Sequence, residues 1–486
     1  MIFNIKHAFR IVVALTLTIG TLAQAPARAE QNFVQDIAPI VVKNCIACHG
    51  ERTALGGYRM HTLEAMMRPG ASGRSSVAAR DAEHSLIYSR MVTTDLDKRM
   101  PQGGEKLPPV MVNAIRMWIN EGAKAPGVDP KVPLVKLMGP RSHPAAPATY
   151  SAPPPLAAVA FSPDGNTIAT GGYREVLIWN RATGALVKRA GGLPERIRAI
   201  QWLNGDQLVI AGGIPGEYGE AAVVSVKAGR RTGVLTTFPD VASSVAVSPD
   251  GLRVAAGCAD GSVVCSELAT AKQLWTSKVH ADQITGLAFS ANGQFVASTG
   301  RDKVVKVYDA ADGTLYTTYN GHNRNNGRYR GQAPVFAIAP DAATGFVTVG
   351  GGQWIQTWNP EKAKAETGDA GDMETRFFTQ GHTRYAEHGL IGDVFAMAIV
   401  GTTAYVAGEG GSIQRVSLAS DEKSKEVGKQ VDWVYGLAVS PDGKWLAAVG
   451  FKGVLQVIPT DGASAGTAWT AAPVASSAPK PRTKQK

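Results

Sequence analysis

From residue 156 the chain alternates short apolar runs with turn residues, and the pattern recurs. The first copy reads Leu156–Phe161, then Ser162-Pro163-Asp164-Gly165, a second apolar run ending at Gly171-Gly172, and a third, Val176–Trp179, closing on an aromatic. Later copies start near Ile197, Ser244, Ile284, Val335, Val394 and Val434, and Ser248–Gly251 and Ser440–Gly443 repeat the Ser-Pro-Asp-Gly turn almost verbatim. Ser290-Ala291-Asn292-Gly293 is a variant. Asp-Gly and Asn-Gly accept positive φ and form hairpin turns. A repeat of roughly 40 to 60 residues marks supersecondary units that bury their faces only by stacking. Each unit is expected to be a four-stranded antiparallel sheet, with the last strand of the array coming from 132–137 or from 466–471.

The pattern differs upstream. Phe33, Ile37, Ile40 and Val41 fall at i, i+4, i+7 and i+8, which predicts an amphipathic helix. Val110, Ala114, Ile115, Met117, Trp118 and Ile119 predict a second helix stopped by Gly122, with a loop-rich stretch between. Residues 30–124 therefore read as a small all-α domain. Residues 125–155 are rich in Pro, Ala and Ser and read as a linker, with 132–137 as an edge strand. The repeats fill 156–471, and 472–486 reads as a disordered basic tail. At the N-terminus, Lys6 and Arg10 precede an apolar run from Ile11 to Ala23, and Ala27-Arg28-Ala29 offers a cleavage site. Residues 1–29 are expected to be a secretory signal, the alternative being an uncleaved anchor. No other apolar stretch has membrane length, so no transmembrane segment is expected after cleavage.

Composition agrees with a turn-rich β protein: 486 residues include 54 Gly, and only 19% are charged. The formal charge of +10 includes three cations of the signal and four of the last residues, Lys480, Arg482, Lys484 and Lys486. The remaining diffuse basicity points to an acidic partner or an anionic surface and not to nucleic acid.

Four cysteines are present. Cys45-Ile46-Ala47-Cys48-His49 has the spacing of c-type haem attachment: two thiols on one helical turn for two vinyl groups, followed by an imidazole for the iron. A zinc site would need two further ligands at metal spacing, and none lies nearby. A redox dithiol would have no use for His49. An exported chain also provides the compartment for such attachment. Cys258 and Cys265 flank a turn, either as a hairpin disulfide or as two buried thiols. The sixth iron ligand is expected to be a sulfur or an imidazole. Met100, in Arg99-Met100-Pro101, sits where a distal loop would return, while Met60, Met66, Met67, Met91, His61 and His84 compete.

Residues 35–123 resemble the cytochrome c domain family first noticed in planctomycetes. The resemblance rests on Asp36–Ile40, Cys45–Gly50, Gly56–Met60, Ser85–Ile87, Arg99–Pro101 and Trp118–Ala123; Gln102 replaces the family's usual second Pro. It implies one covalent haem c with His49 and Met100 as axial ligands. Residues 156–460 resemble the WD40 family through Gly321-His322, Gly381-His382 and the closing aromatics Trp179, Tyr308 and Trp358. That implies a seven-bladed β-propeller.

The expected architecture is thus multi-domain: a small all-α cytochrome c domain, then an all-β seven-bladed propeller. Within the WD40 likeness, His280 and Asp302 fill a structural hydrogen-bonding pair. Copies 5 and 6 carry Gly352 and Gly410 at the Asp position and have long lead-in loops. Arg324, Arg328, Tyr329, Arg330, His382, Arg384, Tyr385 and His388 are expected to form one basic docking patch at the channel mouth. The function expected is electron transfer in the periplasm, with the propeller docking a periplasmic or membrane-associated redox protein. The alternatives are an enzyme of the haem-cd1 nitrite reductase or quinoprotein type, with His322, His382 or His388 available to a second iron, and an assembly scaffold with structural haem.

Overall fold

The computed structural model describes residues 31–51, 53–137, 141–323, 334–366 and 380–474. The expected signal, Arg324, Arg328, Tyr329, Arg330 and the tail from 475 lie outside these residues. Two compact units are formed. One contains the stretch ending at Ile37 together with Val77–Pro126, and the other contains Ala38–Ser76 together with the chain from Gly127 onward.

In the first unit a π-helical turn, Phe33–Ile37, meets the helix Pro109–Asn120. Phe33 and Trp118 lie with ring centroids 5.4 Å apart, and Ile37, Ile115 and Ile119 are fully buried. The Trp118 indole donates to Lys124 O at 2.8 Å, so the polar end of the buried ring is satisfied. A third helix, Leu86–Val92, starts after buried Ser85, whose hydroxyl accepts from Ala78 N and donates to Asp81 O, both at 2.8 Å. Pro109–Asn120 is the second helix the apolar spacing predicts, whereas Leu86–Val92 lies in the stretch expected to be loop.

The second unit holds the repeats. Seven four-stranded antiparallel sheets follow one another, each with its strands in chain order. The inner strands are Val159–Phe161, Arg196–Trp202, Ala242–Val247, Ile284–Phe289, Val335–Asp341, Val394–Val400 and Val434–Val439. Neighbouring inner strands touch in succession, and the last touches the first, so the sheets are the blades of a closed seven-bladed propeller. An apolar layer fills each gap between blades. At the closure Leu156, Ile168 and Trp179 of blade 1 pack on Val449, Leu455 and Val457 of blade 7. Thr467–Thr470 is the outer strand of blade 7, which decides between the two expected sources of the last strand.

The Ser-Pro-Asp-Gly turn has a simple physical basis. Ser162 Oγ donates to Asp164 Oδ1 at 2.6 Å, the same oxygen accepts from Asn166 N at 3.0 Å, and Gly165 takes φ 70°. The hydroxyl of Ser440 closes the equivalent turn on Asp442 at 2.5 Å.

The described residues of the Pro-rich stretch contain no edge strand. Val132–Leu137 holds instead the short helix Leu134–Leu137, which packs against the helix Ala38–Asn44 and the outer strand of blade 2, Arg230–Phe238. Beyond it the chain is fastened to blades 1 and 2. Arg231 donates to Arg141 O at 2.6 Å and binds both oxygens of fully buried Glu220 at 2.7 Å. Arg189 repeats the device, donating to Pro147 O and Ala148 O while it pairs with buried Glu175. Tyr150 O–H donates to the same Glu175, and Tyr150 N donates to Pro473 O at 2.8 Å.

Candidate functional site

The helix Ala38–Asn44 runs straight into the C-x-x-C-H turn. Cys45 N donates to Val41 O at 2.9 Å, and His49 N donates to Cys45 O at 2.9 Å. Cys45, Cys48 and His49 therefore sit on one continuous helical turn. Gly50 is required next, because a Cβ there would stand 2.6 Å from Ile46 O. His49 Nδ1 lies 3.2 Å from Tyr58 O. A carbonyl only accepts, so Nδ1 carries the proton and Nε2 presents its lone pair, the tautomer an iron ligand needs. Tyr58 is itself held: its hydroxyl donates to Met66 O at 2.9 Å, its ring centroid is 5.5 Å from that of His49, and burial pushes its phenol up. Met60 N donates to His49 O at 2.6 Å, which ties the two arms of the segment together.

Both thiols are free. Burial, with a smaller contribution from Cys48, pushes the Cys45 thiol up to about 12. It is therefore neutral near pH 7 and is not poised as a thiolate nucleophile or zinc ligand. Among the described residues no cluster of His, Cys, Asp or Glu could hold a metal ion. A thiol kept neutral by burial, a second thiol and one oriented imidazole on a single turn fit haem attachment.

Met100 belongs to the first unit, in which Met100 N donates to Arg90 O at 2.8 Å and the side chain is half-buried. Several competitors are occupied elsewhere. Met60, Met66 and Met91 are buried core residues. His84 is exposed and bonds Asp81 at 2.7 Å. His61 borders a cavity of about 440 Å³ that is also lined by Arg59, Arg68 and Lys131.

The propeller residues separate into structural and open positions. His280 Nδ1 donates to Asp302 at 2.9 Å, and Nε2 meets Ser298 Oγ at 2.8 Å, the structural role expected of that pair. His322 is buried against Thr348 Oγ1 at 2.9 Å although the Asp is missing, and burial lowers it to about 3. His382–Glu387 is not a loop. It is the outer strand of blade 5, in register with Trp354–Trp358. On it, His382 stacks on Tyr385 with centroids 3.7 Å apart, and Arg384 pairs with Asp421. His388 is fully buried, donates from Nε2 to Gly352 O at 2.6 Å and accepts at Nδ1 from Leu390 N. Gly352 lies in the turn between two strands of blade 5, so this bond ties His388 back to blade 5, whereas the Gly-His likeness assigns His382 a partner in the turn of blade 6. The described members of the expected basic patch are thus held on the outer edge of blade 5, with Arg384 reaching across to Asp421 of blade 6.

Cys258 and Cys265 do not pair. Cys265 is opposite Ala255 in the hairpin, and the two thiols enter different interblade layers.

Residues 45–103 match the family model of planctomycete cytochrome C. Residues 148–180, 232–265, 271–309 and 425–458 match the WD domain, G-beta repeat. The chain joins a planctomycete-type cytochrome c segment to a seven-bladed WD40 propeller. Among curated proteins it is 28% identical over 141 residues to the WD repeat-containing protein SL1-17 of Schistosoma mansoni, covering 29% of this chain and 46% of that protein. It is 30% identical over 124 residues to the uncharacterized WD repeat-containing protein sll1491 of Synechocystis sp., covering 26% and 33%. The chain therefore spans less than half the length of these relatives. Among the described residues no helix is long and apolar enough to cross a membrane.

Proposed function

We propose that this protein is an electron-transfer protein of the periplasm carrying one haem c. Cys45 and Cys48 would hold the haem by thioether bonds, His49 would be the proximal ligand and Met100 the distal one. The observation that carries the reading is the His49 Nδ1 to Tyr58 O bond on the C-x-x-C-H-G turn, which fixes the imidazole in the tautomer that a haem iron takes. When bound, such a haem supplies reversible one-electron exchange. The chain's own part is to present two free thiols, hold one imidazole and provide a rigid body for docking. Glu51, directly after the motif, lies 3.3 Å from Lys278 in the loop between blades 3 and 4, which supports a fixed placement of the attachment segment on the propeller. A redox partner that docks on the propeller would then meet a haem held in constant geometry.

The propeller histidines proposed for a second haem do not favour the enzyme reading, since His322 and His388 are buried and hydrogen-bonded. The test is a denaturing gel of the exported protein stained for haem peroxidase activity. The stain should survive denaturation and vanish in Cys45→Ala/Cys48→Ala. A stain that persists in the double variant, or one that is absent from the parent, overturns the reading.

A further inference from the structure

Six of the seven inner strands share one irregularity. Pairing with the next strand skips a residue between Ile197 and Ala199, Ala242 and Ser244, Ile284 and Gly286, Val335 and Ala337, Val394 and Ala396, and Val434 and Gly436. A bulge leaves one residue out of the ladder and re-aims its side chain. The skipped residues are Arg198, Ser243, Thr285, Phe336, Phe395 and Tyr435, at equivalent positions near the start of the innermost strands. Two of them stitch blades together: Ser243 Oγ donates to Ile284 O at 2.5 Å, and Thr285 Oγ1 donates to Val335 O. Phe336, Phe395 and Tyr435, on blades 5 to 7, have no such task.

These rings form an arc at the propeller mouth. Phe336 and Phe395 have centroids 5.2 Å apart at 77°, and Phe395 and Tyr435 5.6 Å apart at 45°. Trp433 joins them, 5.8 Å from Phe395 and at 85° to Tyr435, and is 42% exposed. The loops of the same face add apolar surface: Phe451 N donates to Trp433 O at 3.0 Å, and Phe451, Val431 and Ile391 are 51%, 78% and 81% exposed. Asp393, two residues before Phe395, and Glu409, whose N–H donates to Asp393 O at 3.0 Å, bring two carboxylates to this arc. Their mutual repulsion adds to burial in raising Asp393, and no cation pairs with either among the described residues. Arg198, the one charged residue at the skipped positions, stands on blade 2, near enough to Tyr435 to act on it electrostatically.

We propose that this mouth docks a cationic side chain carried on an apolar segment of a partner protein. Aromatic faces attract a cation, the more strongly when it is desolvated, and rings at steep angles offer several faces to one ammonium or guanidinium group. Asp393 and Glu409, which pair with no cation among the described residues, supply the charge complement, and the exposed apolar loops cover the flanking residues of the partner. The site is independent of haem.

The experiment is calorimetric titration of the purified full-length protein with tetramethylammonium chloride, and separately with its neutral isostere neopentyl alcohol. Saturable binding of the cation alone is expected. It should weaken about tenfold in Phe395→Ala and in Asp393→Asn. Trp433→Leu alters only an exposed ring and should show the same loss with folding intact. Equal binding of the neutral isostere, or unchanged binding in Trp433→Leu, overturns the proposal. So does binding that appears only when residues 475–486 are deleted, because the occupant is then this chain's own cationic tail. No binding in either form overturns the site altogether.

Discussion

Arg231→Ala should be the most damaging surface-near substitution in the propeller. Glu220 is fully buried, and Arg231, 16% exposed, donates to both of its oxygens at 2.7 Å. Tyr218 O–H donates to Glu220 at 2.7 Å, and His143 Nε2 lies 3.3 Å away. Removing the guanidinium strands a buried carboxylate, which costs about 3–5 kcal/mol. It also breaks the bond to Arg141 O, worth roughly 1 kcal/mol more. Glu220→Gln/Arg231→Met keeps an acceptor for Tyr218 without the charge and should recover all but about 2 kcal/mol. The assay is equilibrium urea unfolding followed by tryptophan emission. Burial alone would raise the Glu220 carboxyl, but His143, Tyr218 and Arg231 more than offset it and hold it below the usual range. In the parent its contribution is therefore present above roughly pH 4.3, the ordinary Glu value, and fades as pH falls through the lower folded value. In Arg231→Ala the offset is reduced, so the deficit relative to the parent should shrink on acidification. A loss below about 1 kcal/mol, or a deficit independent of pH, would refute the idea that this pair fastens the upstream chain.

Three further outcomes follow. Met100→Ala should abolish the weak charge-transfer band that methionine-ligated ferric haem shows at the red edge of the visible spectrum, and should lower the potential; loss of the band in Met91→Ala instead would move the ligand. Gly50→Ala forces a Cβ to 2.6 Å from Ile46 O and should sharply cut the yield of haem-stained protein while leaving propeller unfolding unchanged. Charge reversal at Arg324, Arg328 and Arg330 should slow association with an acidic redox partner and flatten its salt dependence, read by stopped-flow kinetics.

Local chemistry was the legible part. The Ser-Pro-Asp-Gly turns, the strand alternation and the C-x-x-C-H turn are each settled within a few residues, so their elements could be read directly. His280 and Asp302 were legible for the same reason: a repeated motif carries its own partner. His382 and His388 were not. Where each of them ends up depends on the pairing of 382–387 with Trp354–Trp358, and the local Gly-His signature cannot encode that register. The Pro-rich stretch misled similarly. Its composition excludes a long helix, but its attachment depends on Glu175, Arg189, Glu220 and Arg231, residues that belong to blades 1 and 2. The aromatic mouth was equally hidden, because Phe336, Phe395 and Tyr435 meet only after the ring closes and the bulges turn them out of their strands.

The most direct test of the account is the visible absorption spectrum of the purified protein in both oxidation states, with haem counted per chain. One low-spin haem c per chain that exchanges a single electron reversibly is the expected result. A second haem type, an iron with an open high-spin site, or a chain that carries no haem would contradict the reading of this protein as a one-haem electron carrier.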